Sequence, residues 1–392
     1  MNRRFGPRLS SISPARTAAF RVLLRVERGA HSDDLLRQHT HRLDSRDAAL
    51  AYEIALGVLR RQAQLDFLIR HLSGRDSSRL DPEVRAALRM GLYQILFLDR
   101  VPAHAAVNES VALVKPVRRA AAGLVNAVLR KSTTETPPWP DRATALSIPA
   151  WMLERWDRFY GAAVADQIAR AALETPSTWV RFTGQGPPTG VCLEPSEVPG
   201  AYRLVAGEPE GLRIQDIGSQ SIVPLLELEA GLSFLDLCAA PGNKTAQALE
   251  SGVRAVACDL SLSRLTPLKS LGCPLVVLDA TRPLPFGRRF DRILLDVPCS
   301  GTGTLARNPE IKWRLRPEDL LGFHHRQVLM LRHALELLAP GGLLVYCTCS
   351  LEPEENEQVV EEVLGRLPER VVRRIPGVVA GDGFFAAVIP ST

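Results

Sequence analysis

Five short apolar runs between residues 232 and 349 constrain this chain most: "LSFLDLC", "RAVACD", "PLVVLDA", "FDRILLDVP" and "GGLLVYCTC". Each is long enough for one strand, and most are continuously apolar rather than alternating. Strands of that kind are buried on both faces, which requires a mostly parallel sheet with helices packed on either side. Helical candidates lie between them, the clearest being "PEDLLGFHHRQVLMLRHALELLAP" over residues 317–340. In such α/β folds ligands bind beyond the carboxyl ends of the strands, where the strand order reverses. The runs end at or near an Asp or a Cys, so reactive side chains accumulate at that edge.

The first third of the chain follows a different pattern. Ser13-Pro14 and Asp81-Pro82 each pair a capping residue with a proline at the first helical position. Apolar residues recur at three- and four-residue spacing over residues 48–72, and no stretch alternates with period two. An all-helical domain over residues 1–135 is expected. The proline-rich "TTETPPWPDR" supplies a linker at 136–142. Residues 143–215 open with a helical stretch and change to short strands with Gly and Pro turns, a small α+β segment. The α/β domain then occupies 216–392.

Charge divides the same way. Residues 1–135 hold 23 Lys and Arg against 13 Asp and Glu, while the remainder holds 25 against 30. A basic first third meets a polyanion or presents an ordinary solvated helical surface, and charge alone leaves both open. Arginine outnumbers lysine 43 to 5, so single arginines say little, but Lys244 and Lys312 fall inside motifs. The N-terminal "MNRRFGPRLSS" is basic with no apolar stretch behind it, and no run approaches the ~20 residues that span a bilayer. A cytoplasmic protein without signal peptide or membrane span is expected. The seven cysteines form no CxxC pair and the histidines show no ligand spacing, so neither a disulfide framework nor a metal is expected.

"LDLCAAPGNKTAQAL" (residues 235–249) reads as strand, tight turn and helix start. Its small residues let a ligand approach the backbone, although spacing alone also fits an unliganded turn. Asp259 ends the next run, 17 residues after Gly242, where an acid can accept from ribose hydroxyls. Asp279 is placed for an adenine amino group, and Asp296 ends the fourth run. Singly each is a cap or turn residue; together they predict a nucleoside cofactor. Cys299 follows Pro298 and precedes "SGTGT", while Cys347 and Cys349 share one strand face, with Cys349 nearer the cleft. A thiol there either packs or is activated as thiolate.

Taken together, "CAAPGNKT", "DVPCSGTGTLARNPEIKW" and "CTCSLEPEENEQVV" resemble the S-adenosylmethionine-dependent RNA cytosine-5 methyltransferases. "QDIGSQ" and "DGFF" at 382–385 agree, and the helical region resembles the NusB-like RNA-binding domain of the branch acting on small-subunit ribosomal RNA. The resemblance implies a Rossmann-like methyltransferase domain that holds S-adenosylmethionine through Cys238, Ala239, Ala240, Pro241, Gly242, Asn243, Lys244, Asp259, Asp279 and Asp296. It implies Cys349 as nucleophile, Cys299 as the thiol that helps resolve the covalent adduct, and Asp296 near the target base. DNA cytosine methyltransferases use the cysteine after proline instead, so chemistry alone does not assign the roles. Lys312, with Arg307 and Arg314, is expected to hold RNA phosphates. The implied partner is 16S ribosomal RNA, with no protein partner evident; transfer RNA, or a non-catalytic RNA-binding protein on the same fold, are the alternatives. Asn243 stands where the family has a second glycine, a replacement suited to a positive φ.

Overall fold

The computed structural model of the chain describes residues 12–132, 137–184, 186 and 188–391. The basic N-terminal stretch and the first residue of the expected linker lie outside these. The described chain forms two compact units: residues up to Thr175 together with Arg307–Arg314, and Pro176–Ala306 with Leu315–Thr392.

The first unit is helical. Its N-terminal part comprises α1 (Pro14–Val26), α2 (Ser32–Thr40), α3 (Ser45–Arg60), α4 (Gln62–Ser73), α5 (Pro82–Phe97), α6 (Ala103–Val114) and α7 (Ala122–Lys131). Ser13 accepts from the Arg16 amide and Pro14 opens α1, as expected; at α5 Pro82 opens the helix but Asp81 makes no side-chain cap. The apolar periodicity over residues 48–72 breaks at Arg61 into two helices. Their inner faces, with Leu23, Leu36, Ile54, Val58, Leu65, Ile69, Leu88 and Met90, make one core. Gly57 lets α3 lie against α5: a Cβ there would fall 2.0 Å from the Tyr93 ring.

Helices α8 (Arg142–Leu146), α9 (Ala150–Tyr160) and α10 (Ala162–Ala171) correct the expected domain boundary. They belong with the N-terminal helices, not with the strands that follow. Gln64 Nε2 donates to Ala145 O at 2.7 Å, the Ala63 amide donates to Ser147 Oγ at 3.1 Å, and Trp139 packs edge-on against Phe67. Sequence order alone had grouped 143–175 with 176–215.

The second unit opens with a small antiparallel sheet of β1 (Trp179–Arg181), β2 (Cys192–Pro195), β3 (Ala201–Ala206) and β4 (Arg213–Ile214), in the order β2-β3-β1-β4. After the short α11 (Ile217–Gln220) comes the main sheet. The five expected runs become β5 (Ser233–Asp236), β6 (Arg254–Asp259), β7 (Leu275–Val277), β8 (Phe290–Asp296) and β9 (Leu338–Thr348). Two further strands, β10 (Arg370–Arg374) and β11 (Phe384–Pro390), complete the order β10-β11-β9-β8-β5-β6-β7. β5 through β9 pair in parallel, and the last two are antiparallel additions.

Successive residues explain the continuous apolar runs. Phe234, Leu294, Val345 and Cys347 enter one apolar cluster, while Leu235, Ile293, Leu295 and Tyr346 enter another. The two faces of the sheet are thus both covered. α12 (Asn243–Leu249), α13 (Leu262–Leu265), α15 (Asp319–Glu336) and α16 (Glu357–Leu364) follow strands of this sheet, whereas α14 (Ile311–Arg314) belongs to the helical unit. The strand order reverses between β5 and β8, so the carboxyl ends of these two strands define the cleft.

Candidate functional site

The turn after β5 is built from small residues because the backbone is crowded. Gly242 adopts φ +104°, and a Cβ on it would lie 2.7 Å from Leu268 Cγ. Glycine is therefore required on both conformational and steric grounds. Asn243 departs from its expectation. It does not adopt a positive φ but is the first residue of α12, and its side chain donates to Ile214 O at 3.2 Å.

Lys244, one residue later, reaches across to the end of β8. Its Nζ donates to Asp296 Oδ2 at 2.7 Å and lies 5.1 Å from the centre of the Phe384 ring. Burial alone disfavours the ammonium, but the charge of Asp296 outweighs it and holds Lys244 above the ordinary lysine range. The other oxygen of Asp296 accepts from Cys347 Sγ at 3.4 Å. Cys347 is fully buried, and burial followed by the Asp296 charge pushes its thiol well above the usual range. Cys347 is thus a packed, protonated neighbour of Asp296.

The other acids have local partners as well. Asp259 ends β6 and accepts from the Ser261 amide at 3.0 Å. Asp279 lies two residues past β7 and accepts from the amide and hydroxyl of Thr281 at 2.9 and 2.7 Å. The hydroxyl bond, then the amide bond, holds its carboxyl below the usual range. Asp236, not singled out in the sequence, ends β5 between these groups. Its Oδ2 accepts from Thr245 Oγ1 at 2.7 Å, whereas the buried Oδ1 has no partner among the described residues. Burial pushes its carboxyl up to about 7. A tight small-residue turn, a strand-end acid and a buried carboxyl oxygen without a partner among the described residues fit a polar nucleoside cofactor.

Beyond β8 and β9 the two remaining thiols meet. Cys299 Sγ and Cys349 Sγ are 3.3 Å apart, with neither in a disulfide. The hydrogen bond with Cys349, then burial, raises the Cys299 thiol well above its usual range. Parallel pairing brings this about: β8 and β9 run side by side to the Asp296–Cys347 pair, and each chain then turns over the sheet edge. Sequence reading identified both cysteines but not the residues that lace their loops together. These are Ser300, Ser350 and Glu355, all buried, with the Ser300 amide donating to Glu355 Oε1 at 2.8 Å. The only sequence signal is a serine after each cysteine and an acid-rich "LEPEENE".

The expected phosphate contacts require one correction. Lys312 is 1% exposed and donates to Arg60 O at 2.7 Å and Ser147 O at 2.9 Å, inside the helical unit. A side chain held on backbone carbonyls has no free donor face for RNA. Arg314 is exposed and Arg307 half-buried, and both lie in the same segment, which groups with the helical unit.

Among the described residues no group of three or more His, Cys, Asp or Glu is placed to hold a metal, and no helix is long and apolar enough to cross a membrane. Residues 223–378 match the family described as 16S rRNA methyltransferase RsmB/F, and residues 13–134 match the NusB family. The ribosomal RNA small subunit methyltransferase B of Klebsiella pneumoniae is 32% identical over 411 aligned residues, covering 92% of this chain and 94% of that protein. A methyltransferase homologue from Pyrococcus horikoshii superposes with a TM-score of 0.56 at 24% identity, over 66% of this chain and 100% of its own. NSun6 from the same organism, solved with SFG, gives a TM-score of 0.52 at 18% identity, over 62% of this chain and 98% of its own.

Proposed function

The chain belongs to the 16S rRNA methyltransferase RsmB/F family, whose members depend on S-adenosylmethionine, and on that premise we propose that it methylates carbon 5 of a cytosine in 16S ribosomal RNA. The observation that carries the reading is the pair of thiols 3.3 Å apart, beside the Lys244–Asp296 pair at the switch in strand order. S-adenosylmethionine supplies an electrophilic methyl group when bound. The turn residues Cys238, Ala239, Ala240, Pro241, Gly242, Asn243 and Lys244, with Asp259, Asp279 and Asp296, are the groups that would hold it.

Carbon 5 of cytosine is a poor nucleophile until a thiolate adds at carbon 6. Cys349 is the attacking thiol in this reading, and the addition makes carbon 5 enamine-like. Asp296, which accepts from Lys244 on one oxygen, stabilises the protonated ring nitrogen of the adduct in this reading. After methylation a base removes the proton at carbon 5, and the bond from Cys349 to carbon 6 breaks. Cys299 assists this release, because it lies against the sulfur that must leave. The base has to be unstacked to reach the cleft, so an open RNA segment is the natural substrate. The NusB-like helical unit, with its excess of basic residues, adds sequence-independent RNA affinity.

A denaturing gel tests the assignment. Cys299→Ala protein incubated with unmodified 16S ribosomal RNA and S-adenosylmethionine is expected to accumulate a slow-migrating protein–RNA band. The band should vanish when Cys349 is also replaced by alanine. A band formed by Cys349→Ala protein and not by Cys299→Ala would reverse the two roles.

A further inference from the structure

Glu355 belongs to neither the cofactor turn nor the thiol pair, yet it touches the residue after each cysteine. Oε1 accepts from the Ser300 amide at 2.8 Å and from Gln327 Nε2 at 3.1 Å. Oε2 accepts from the hydroxyls of Ser300 and Ser350, the latter at 2.5 Å. Gln327, on α15, donates also to Pro298 O at 3.0 Å, immediately before Cys299. The carboxyl is fully buried, and burial raises its pKa while these donors oppose the shift. Four donors converge on it, which suits the acceptor-only ionised form. A buried carboxylate without a paired cation is costly, and apolar packing would fill the same volume at lower cost.

The backbone ladder does not by itself set the distance between the thiols. β8 and β9 pair as strands only as far as Asp296 and Cys347. Past Asp296 the Val297 amide donates to Cys347 O at 3.1 Å and the Gly303 amide to Cys349 O at 2.9 Å, and the remaining cross-links among the described residues involve side chains. Glu355 is itself fixed from behind. Tyr346 donates its hydroxyl to Glu355 O at 2.6 Å, and Asn356 Nδ2 donates to Ser350 O at 3.0 Å.

We propose that Glu355 is a positioning residue, whose carboxylate ties the Cys299 loop to the Cys349 loop and sets the separation of the two sulfurs. The proposal rests on reading Cys349 and Cys299 as the reacting thiols. Glu355 itself touches neither sulfur; it acts through Ser300 and Ser350. A displacement of reacting atoms by about 1 Å lowers turnover by about a hundredfold, so a clamp of this kind governs rate rather than binding.

Two readouts on the full chain test it. Diamide couples Cys299 to Cys349, the two thiols giving two electrons and two protons that reduce the diazene to the hydrazine; peptide mass locates the bond without any need for catalysis. Glu355→Gln keeps the volume and removes the charge. It is expected to slow this coupling and kcat by about ten- to a hundredfold, leaving cofactor affinity and the KM for RNA within about twofold. A Ser300→Ala/Ser350→Ala double variant should show a similar loss, and adding Glu355→Gln to it should cost little more, because the hydroxyl bonds that join the two loops through Glu355, including the one from Ser350, are already gone. Coupling and kcat unchanged in Glu355→Gln, losses that simply add, or no Cys299–Cys349 coupling in the parent would each overturn the proposal. Slowed coupling in the variants of a parent that transfers no methyl group would support the clamp and remove the cytosine reading instead.

Discussion

Lys244, its side chain 11% exposed, and Lys312, fully buried, both lie in motifs, one in the α/β unit and the other in the helical unit. Lys244 faces a carboxylate, Asp296, and is held above the ordinary lysine range. Lys312 faces two backbone carbonyls and the ring of Trp313, and burial followed by the charges of Arg60 and Arg61 pushes it well below that range. A cation with a counter-charge stays charged and joins the start of α12 to the end of β8. A buried amine on carbonyls alone anchors a segment. The identity of the residue does not separate the two cases; its partners do.

Breaking each lysine tests that contrast. Lys244→Met leaves Asp296 without its cation at the site, and methyl transfer is expected to fall by about a thousandfold, well beyond any loss of folded protein. Lys312→Met should behave in the opposite way. It removes the hydrogen bonds to Arg60 O and Ser147 O, at roughly 3 kcal/mol of stability by urea unfolding, while turnover per folded molecule changes little. If Lys312→Met instead lowered the salt dependence of RNA binding by about one unit of slope, the anchor assignment would be wrong.

Asp236 sharpens the comparison from the acidic side, as a buried carboxyl with no paired cation. Its folded value of about 7 exceeds the 3.8 of a free aspartate. The native state therefore holds the proton more tightly, so this stabilising contribution is complete below pH 3.8 and is lost as pH rises through 7. Between pH 5 and 8 the parent should lose about 2 kcal/mol that Asp236→Asn does not lose, measured by urea unfolding at each pH. The smallest effect belongs to the helical surface. Arg21, Arg25 and Arg28 are exposed at helical spacing, and replacing all three with glutamine should weaken RNA binding by about tenfold and lower its salt slope by two to three units. Equal slopes would mean that the basic excess is an ordinary solvated surface.

Much of the molecule was legible before any coordinates. The five parallel strands, the Gly242 turn and the two thiols near strand ends follow from local pattern, and all are present. The antiparallel pair β10 and β11 carries no such signal, because "DGFF" reads as a motif and not as the start of a strand. The grouping of residues 142–175 with the N-terminal helices was missed too. Their faces find the helical core through Ala145, Ser147 and Trp139, which no spacing rule connects to Ala63, Gln64 and Phe67. A lysine next to arginines has the local pattern of a phosphate contact, and only the carbonyls around Lys312 make it an anchor.

The sequence by itself determined the kinds of element, the backbone demand at Gly242 and the residue types at the strand ends. These depend on periodicity and on sterics within a few residues. The tertiary structure alone decided that β5 lies beside β8, that Cys299 meets Cys349, and that Glu355 bonds to the serine after each. Those distances arise from strand order and from packing between segments about fifty residues apart, where burial and partner charge, not local pattern, select the arrangement.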